Sequence, residues 1–118
     1  MKIDFFDLKR QYGLNQLEIE DKIIDVIRDC SYIGGQEVKD LEENLKQYLH
    51  TNNVITVNSG TDALIIALKS VGVKPGDEVI TVPNTAVPTV SAIDFANAKP
   101  VFVDIDPDTY EMDPSKIE

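Results

Sequence analysis

The chain has 118 residues, of which 42% are hydrophobic, and a formal net charge of −10. This length suffices for one modest core, and the negative charge disfavours nucleic-acid and anionic-membrane partners because the average field repels phosphates. No apolar run approaches the roughly 20 residues that span a bilayer, and no secretory leader is visible, so we expect a cytoplasmic protein with neither kind of partner.

Two amphipathic helices are predicted in the first 50 residues. Apolar residues recur at helical spacing over residues 16–30 and again over 36–49, and the pair Gly34 and Gly35 separates the two segments. In the second helix, Glu42 falls opposite the apolar stripe together with Glu43 and Lys46. We therefore expect these charged side chains to lie in solvent.

The single cysteine and the single histidine carry no predicted chemistry. Cys30 has no partner for an internal disulfide, and we expect it to pack as a small apolar residue. His50 follows the second helix and has no partner at metal-ligand spacing, which favours a surface or helix-end role over metal binding. No metal site is predicted.

From Val54 onward the pattern alternates between strands and helices. The strand segments are short and continuously apolar, which is typical of a parallel sheet covered on both faces. The fold class is therefore α/β, built as βαβαβ. The predicted elements are strand 54–57, helix 61–71, strand 78–82, helix 87–97 and strand 100–105.

The turn from strand 54–57 into the next helix has the features of an anion site. Gly60 permits close approach of a ligand to the backbone, and the free N–H groups of a first helical turn attract phosphate. The hydroxyls of Ser59 and Thr61 can add contacts. Ser59 or Thr61 acting only as a helix cap explains the same residues equally well.

Ligands of open α/β sheets gather at the carboxyl ends of the strands. In this sequence, those ends correspond to residues 58–61, 83–89 and 104–106. We expect these three loops to line one edge of the sheet.

The last residues have the features of a helix start. Asp113 is a good capping residue, and Pro114 suits the first helical position. The sequence ends at Glu118, too soon for a stable helix. We therefore expect the chain to be a truncated piece of a longer protein.

Four motifs together closely resemble the DegT/DnrJ/StrS family of sugar aminotransferases, and the resemblance covers nearly the whole chain in the order and spacing of that family. Each motif alone is weak, since turns such as Pro-Gly-Asp are common. The motifs are Asn58-Ser-Gly-Thr-Asp-Ala-Leu64, Pro75-Gly-Asp-Glu-Val-Ile80, Pro83-Asn-Thr-Ala-Val-Pro-Thr89 and Pro100-Val-Phe-Val-Asp-Ile-Asp106.

The resemblance implies a fold and a domain division. It implies the three-layer, mostly parallel sheet of the type I aminotransferase large domain, incomplete here and preceded by a helical arm. We expect the arm over residues 1–50 and the start of the cofactor-binding domain over 51–118. The family also implies a homodimer that uses pyridoxal 5′-phosphate to move an amino group from glutamate or glutamine to a nucleotide-linked keto sugar.

The resemblance also implies a set of cofactor-binding residues. The amides of Gly60 and Thr61 are expected to hold the cofactor phosphate, with Ser59 beside them and Thr85 and Ala86 in the second loop. Asp62 is expected to be a structural first-turn acid. The family often has an aromatic residue where this chain has Ala86, so ring stacking must come from elsewhere or binding is weaker.

The roles of two threonines in the second loop stay open. The hydroxyls of Thr85 and Thr89 suit either cofactor contacts or the capping of the helix that begins near Pro88.

Transamination needs a nucleophilic lysine, which in the family lies beyond position 118. The lysines of this chain match no such motif, so the chain alone is predicted to be inactive, with no catalytic residue. The family's sheet order also removes the neighbours of strand 54–57, whereas strands 78–82 and 100–105 can still pair. We expect low stability for the isolated chain, without cooperative melting above about 50 °C.

Two other interpretations remain at this point. One is a noncatalytic phosphate- or nucleotide-binding α/β fragment, which the absent lysine and Ala86 favour. The other is an assembly piece without a ligand, whose apolar surfaces pair with another chain.

Overall fold

The computed structural model describes residues 5–117 and divides the chain into two compact units, Met1–Thr56 and Val57–Glu118. The first unit contains helices α1 (Leu8–Arg28) and α2 (Gln36–Tyr48). The second contains helix α3 (Gly60–Ser70), strand β1 (Glu78–Thr81), helix α4 (Val87–Phe95), strand β2 (Lys99–Phe102) and a 3₁₀ turn (Pro114–Lys116). The expected division after residue 50 stays a prediction.

Helix α1 starts eight residues earlier than the sequence pattern indicated. The side chain of Asp7 caps it by accepting a hydrogen bond from the Arg10 amide at 2.9 Å. The helix is kinked at Asn15, whose backbone is non-helical (φ −124°, ψ 15°). The hydroxyl of Tyr12 and the amide of Gln16 both donate to the carboxylate of Glu20, so a side-chain bridge spans the kink.

Helix α2 ends in a Schellman motif centred on His50. The His50 amide donates to the carbonyl of Gln47, and the Thr51 amide donates to the carbonyl of Lys46. His50 itself is left-handed (φ 51°), a position that glycine usually occupies. The helix-end role expected for this histidine is thus observed.

Cys30 is exposed, so the expectation that it packs as a small apolar residue was wrong. It lies just after α1 with a left-handed backbone (φ 51°). No side chain of residues 5–56 is buried, so this part of the chain offers no core into which the thiol could pack.

The predicted strand at 54–57 does not form. A strand needs a neighbouring backbone for its ladder of hydrogen bonds, and within residues 5–117 this segment pairs with none. The Thr56 amide instead donates to the carboxylate of Glu42 on α2.

The second unit is built on a parallel pair of strands joined through α4, which confirms the α/β class. Strand β1 pairs with β2 in the register Glu78↔Lys99 through Thr81↔Phe102. Helix α3 packs against α4, and α4 packs against β2. Beyond β2, an antiparallel bridge joins Ile105 to Met112.

A small core lies under α4. It contains Ile93, Ala96 and Ala98, with Leu68, Val73 and Val79 packed against them. Ile93 is only 2% exposed. The core is therefore formed from residues 68–98, a contiguous stretch of the chain.

The chain end follows the predicted capping pattern. Asp113 accepts hydrogen bonds from the amide and the hydroxyl of Ser115, at 2.9 and 2.7 Å. The turn Pro114–Lys116 has 3₁₀ geometry, and the last residue of the sequence lies outside the described residues. In the described part of the chain, no helix is both long and apolar enough to cross a membrane.

Candidate functional site

The turn before α3 is organised by Ser59. Its hydroxyl accepts a hydrogen bond from the Asp62 amide at 3.1 Å and donates to the Asp62 carboxylate at 2.6 Å. The Ala63 amide donates to the carbonyl of Ser59. Ser59 is therefore the N-cap, and Asp62 has the structural first-turn role that the sequence predicts.

Two backbone donors of this turn remain available to a ligand. Among the described residues, the amides of Gly60 and Thr61 donate to no protein acceptor. A Cβ atom built on Gly60 meets nothing within 4 Å, so the approach to these amides is open. Two free N–H groups at the positive end of a helix dipole form a donor set that fits a phosphate group.

Asp62 places a negative charge in the same turn, which opposes an anion. Its carboxylate is engaged with the Ser59 hydroxyl, which moderates this charge through a hydrogen bond. The same bond uses the only hydroxyl proton of Ser59, so in this arrangement Ser59 meets a ligand as an acceptor. Among the groups of this turn, the two free amides are thus the donors best suited to an anion.

The loop after β1 presents a pair of hydroxyls. The oxygens of Thr85 and Thr89 lie 2.8 Å apart, and both residues are half-buried. One hydroxyl donates to the other, so the pair keeps one proton for another acceptor. Ala86 is the N-cap of α4 without a side-chain cap, and it is exposed. The hydroxyl pair thus bridges the first turn of α4 and leaves one donor free.

The parallel pairing brings two of the three expected loops to one edge. Because β1 and β2 run in the same direction, the segments 83–89 and 104–106 both follow carboxyl ends at the same side of the sheet. The C-terminal halves of α3 and α4 share the core through Leu68 and Ile93. The position of residues 58–61 relative to this edge stays a prediction.

Glu42 has a role that the sequence pattern missed. Its carboxylate accepts hydrogen bonds from the amide and the hydroxyl of Thr56, both at 2.8 Å. These bonds, led by the backbone one, hold the pKa of Glu42 below its ordinary value. The expectation of a solvated side chain was wrong for Glu42, which is half-buried, because helical periodicity does not show a partner fourteen residues away.

The family model of the DegT/DnrJ/EryC1/StrS aminotransferases matches residues 15–118. This match covers most of the chain. The chain belongs to this family. The resemblance read from the four sequence motifs is thereby confirmed, and the matched region includes both the α3 turn and the loop after β1.

Several curated relatives of the chain are sugar aminotransferases. The chain is 44% identical over 116 residues to a UDP-2-acetamido-2-deoxy-3-oxo-D-glucuronate aminotransferase of Pseudomonas aeruginosa, covering 98% of the chain and 32% of the relative. It is 42% identical over 108 residues to a dTDP-3-amino-3,4,6-trideoxy-alpha-D-glucose transaminase of Micromonospora megalomicea, covering 92% and 29%. The chain thus spans about a third of the length of these relatives.

Solved structures of the family share the fold of the chain. The S. venezuelae enzyme DesV in complex with a ketimine intermediate matches with a TM-score of 0.91 and 34% identity, covering 98% of this chain and 31% of that one. The Bacillus subtilis protein NtdA with bound cofactor PMP matches with a TM-score of 0.88 and 35% identity, covering 98% and 27%. The type I aminotransferase fold, incomplete here, is confirmed.

Proposed function

We propose that this chain is the N-terminal part of a pyridoxal-phosphate-dependent aminotransferase that transfers an amino group from glutamate or glutamine to a nucleotide-linked keto sugar. The observation that carries the proposal is the pair of free amides at Gly60 and Thr61, in a family that includes sugar aminotransferases. Bound pyridoxal phosphate supplies the electron sink for amino transfer.

Two groups of residues in this chain hold the cofactor, one in the turn before α3 and one in the loop after β1. The Gly60 and Thr61 amides hold the phosphate, and the helix dipole of α3 adds positive potential there. Ser59 keeps the turn in shape through its bonds to Asp62. The second part of the site consists of the hydroxyl pair of Thr85 and Thr89, which has one free proton, and the small side chain of Ala86.

Gly60 gives a direct test of phosphate binding. Because a Cβ atom there meets no protein atom, Gly60→Ala preserves the fold and obstructs only what approaches from outside. We expect it to weaken pyridoxal 5′-phosphate binding by about tenfold, in titrations followed by absorbance with inorganic phosphate as competitor. The titration uses the protein expressed from its complete reading frame.

Gly13→Ala is the matched control. Gly13 lies in α1, and a Cβ atom there also meets nothing within 4 Å. We expect this variant to bind the cofactor as the unmodified protein does. If Gly60→Ala binds pyridoxal phosphate with unchanged affinity, the amides of this turn do not hold the phosphate. If the unmodified protein binds neither pyridoxal phosphate nor inorganic phosphate, the result favours the interpretation of the chain as an assembly piece without a ligand.

The catalytic half of the proposal is tested by the remainder of the reading frame. We expect it to encode an aspartate for the ring nitrogen and, after it, the nucleophilic lysine that this chain does not supply. Borohydride reduction in the presence of cofactor then fixes a pyridoxyl label on the complete protein and not on the 118-residue chain. Binding without any such lysine favours the noncatalytic phosphate-binding interpretation.

We also propose that the protein works as a cytoplasmic homodimer without nucleic-acid or membrane partners. The net charge of −10 supports the last two statements, and the family resemblance supports the dimer. Light scattering on the complete protein tests the oligomeric state.

A further inference from the structure

Asp62 places a carboxylate in the same helical turn as the two free amides. It is the acidic residue of the first turn of α3, and it follows Gly60 and Thr61 directly. Its amide donates to the Ser59 hydroxyl at 3.1 Å, and its carboxylate accepts from that hydroxyl at 2.6 Å. All of these groups belong to the unit Val57–Glu118. One turn thus contains both the donors for an anion and a negative charge.

No cation offsets this charge in the part of the chain that the structure describes. Asp62 forms no ion pair there, and the other charged residue of α3, Lys69, lies roughly 10 Å further along the helix axis. Asp62 is half-buried, so water screens its field less than that of an exposed side chain. The bond from Ser59 moderates the charge and does not cancel it.

The carboxylate has opposite effects on the helix and on a bound anion. Without a ligand, it complements the positive end of the α3 dipole and stabilises the helix. A phosphate at the amides of Gly60 and Thr61 uses the same positive potential and is repelled by the carboxylate. The carboxylate also takes the hydroxyl proton of Ser59, which is then not donated to the phosphate.

We propose that Asp62 sets the phosphate affinity of the turn before α3, because its carboxylate opposes the anion held by the amides of Gly60 and Thr61. This inference rests on the proposed function of that turn. Asp62 weakens the binding, so a phosphate-bearing ligand leaves the turn faster than the amides and the helix dipole alone would allow.

The test compares ligands with and without a phosphate group. The protein expressed from its complete reading frame is titrated calorimetrically with pyridoxamine 5′-phosphate, with pyridoxamine and with inorganic phosphate. None of these condenses with a lysine amine, so their binding stays reversible.

Asp62→Asn removes the charge and preserves the size of the side chain. We expect it to bind both phosphate-bearing ligands about tenfold more tightly and to change the affinity for pyridoxamine by less than about twofold. Its melting temperature without ligand is expected to fall, because the helix loses a favourable charge. A purely structural role of Asp62 would instead weaken the binding of all three ligands as the fold loosens.

Two variants control for the position and the sign of the charge. Asp62→Glu retains the charge and a capping-box residue, so we expect phosphate affinity within about twofold of the unmodified protein. Glu78→Gln removes the same charge from an exposed residue at the start of β1. We expect it to change phosphate affinity by less than about twofold, because exposed charges away from the site are screened by salt.

The outcomes separate this inference from the proposed function. If the unmodified protein binds phosphate and Asp62→Asn binds it equally well or more weakly, the role of Asp62 is refuted and the proposed function stands. A gain of the same size in Asp62→Glu or in Glu78→Gln also refutes it, because the charge at residue 62 is then not the cause. If the unmodified protein binds neither phosphate-bearing ligand, both proposals fall.

Discussion

Helices α1 and α2 bury none of their side chains, whereas α4 buries Ala92 and Ile93. Both units carry apolar residues at helical spacing, and Ile23 on α1 is 54% exposed. The difference lies in what each helix has beside it. Helix α4 connects two parallel strands and lies against α3 and β2, so its partners are supplied by the adjacent sequence.

The comparison separates two sources of helix stability. Isolated helices are marginal in water, and most of their stability in proteins comes from packing of the apolar face. Helix α1 has a cap and a side-chain bridge but no packed face within residues 5–56. Within the described residues, α1 makes only local interactions, whereas α4 also packs into a core.

The largest expected effect comes from removing the core of the second unit. Ile93→Ala is expected to lower the free energy of unfolding by about 2–5 kcal/mol, because it leaves a cavity under α4. Ile23→Ala, the matched change on α1, is expected to change it by less than about 0.5 kcal/mol. Urea unfolding of the 118-residue chain, followed by circular dichroism, measures both. Equal effects would remove the distinction between the units.

Removing a helix cap sharpens the same comparison. Ser59→Ala deletes the acceptor for the Asp62 amide and is expected to cost about 1 kcal/mol of unfolding free energy across the second unit. Asp7→Ala deletes the cap of α1 but is expected to fray only the turns before the kink at Asn15. Hydrogen exchange of individual amides distinguishes the two patterns; protection lost along all of α1 would contradict the second.

Lowering the pH tests one hydrogen-bonded carboxylate in each unit, Glu42 in the first and Asp113 in the second. Thr56 lowers the pKa of Glu42, and the hydroxyl and amide of Ser115 lower the pKa of Asp113. Because the pKa is lowered in the folded state, the stabilisation from each carboxylate is complete above the unfolded pKa of about 4 and is lost as the pH falls through the folded pKa.

We therefore expect the amide resonances of Thr56 and Ser115 to stay constant from neutral pH to about pH 5 and to move below it. Glu42→Gln should abolish the change at Thr56 and leave that at Ser115. Movement of the Thr56 resonance with its midpoint above about pH 5 would show that the pKa of Glu42 is raised instead.

The smallest effect is expected at the ion pair between the two helices of the first unit. Lys22 and Glu37 lie 3.4 Å apart with side chains 65% and 41% exposed. Exposed pairs of this kind contribute little, so Lys22→Ala should change the free energy of unfolding by less than about 0.5 kcal/mol. A loss above about 1 kcal/mol in urea unfolding would show that this pair holds the two helices together.

The elements of the second unit follow from short-range rules. Proline and glycine at residues 75–76 mark the turn before β1, and Gly76 adopts a positive φ of 90°. Ser59 and Asp113 cap where capping chemistry predicts. These features need only a few neighbouring residues, so a single sequence is enough to predict them.

The features that the sequence did not predict depend on distant or missing partners. Residues 54–57 have the composition of a strand, but a strand forms only beside another backbone. The bond from Thr56 to Glu42 joins residues fourteen positions apart, for which helical periodicity carries no signal. The early start of α1 was missed because the apolar pattern is weak before residue 16, although Asp7 is a recognisable cap.

The open space around Gly60 has a consequence for stability. Its surroundings accommodate a methyl group, so alanine would reduce the freedom of the unfolded chain and favour the folded state by about 0.4–1 kcal/mol. Selection for stability alone would therefore favour alanine over glycine at residue 60. The proposed phosphate-binding role opposes this preference, so Gly60→Ala should raise the melting temperature and lower the phosphate affinity.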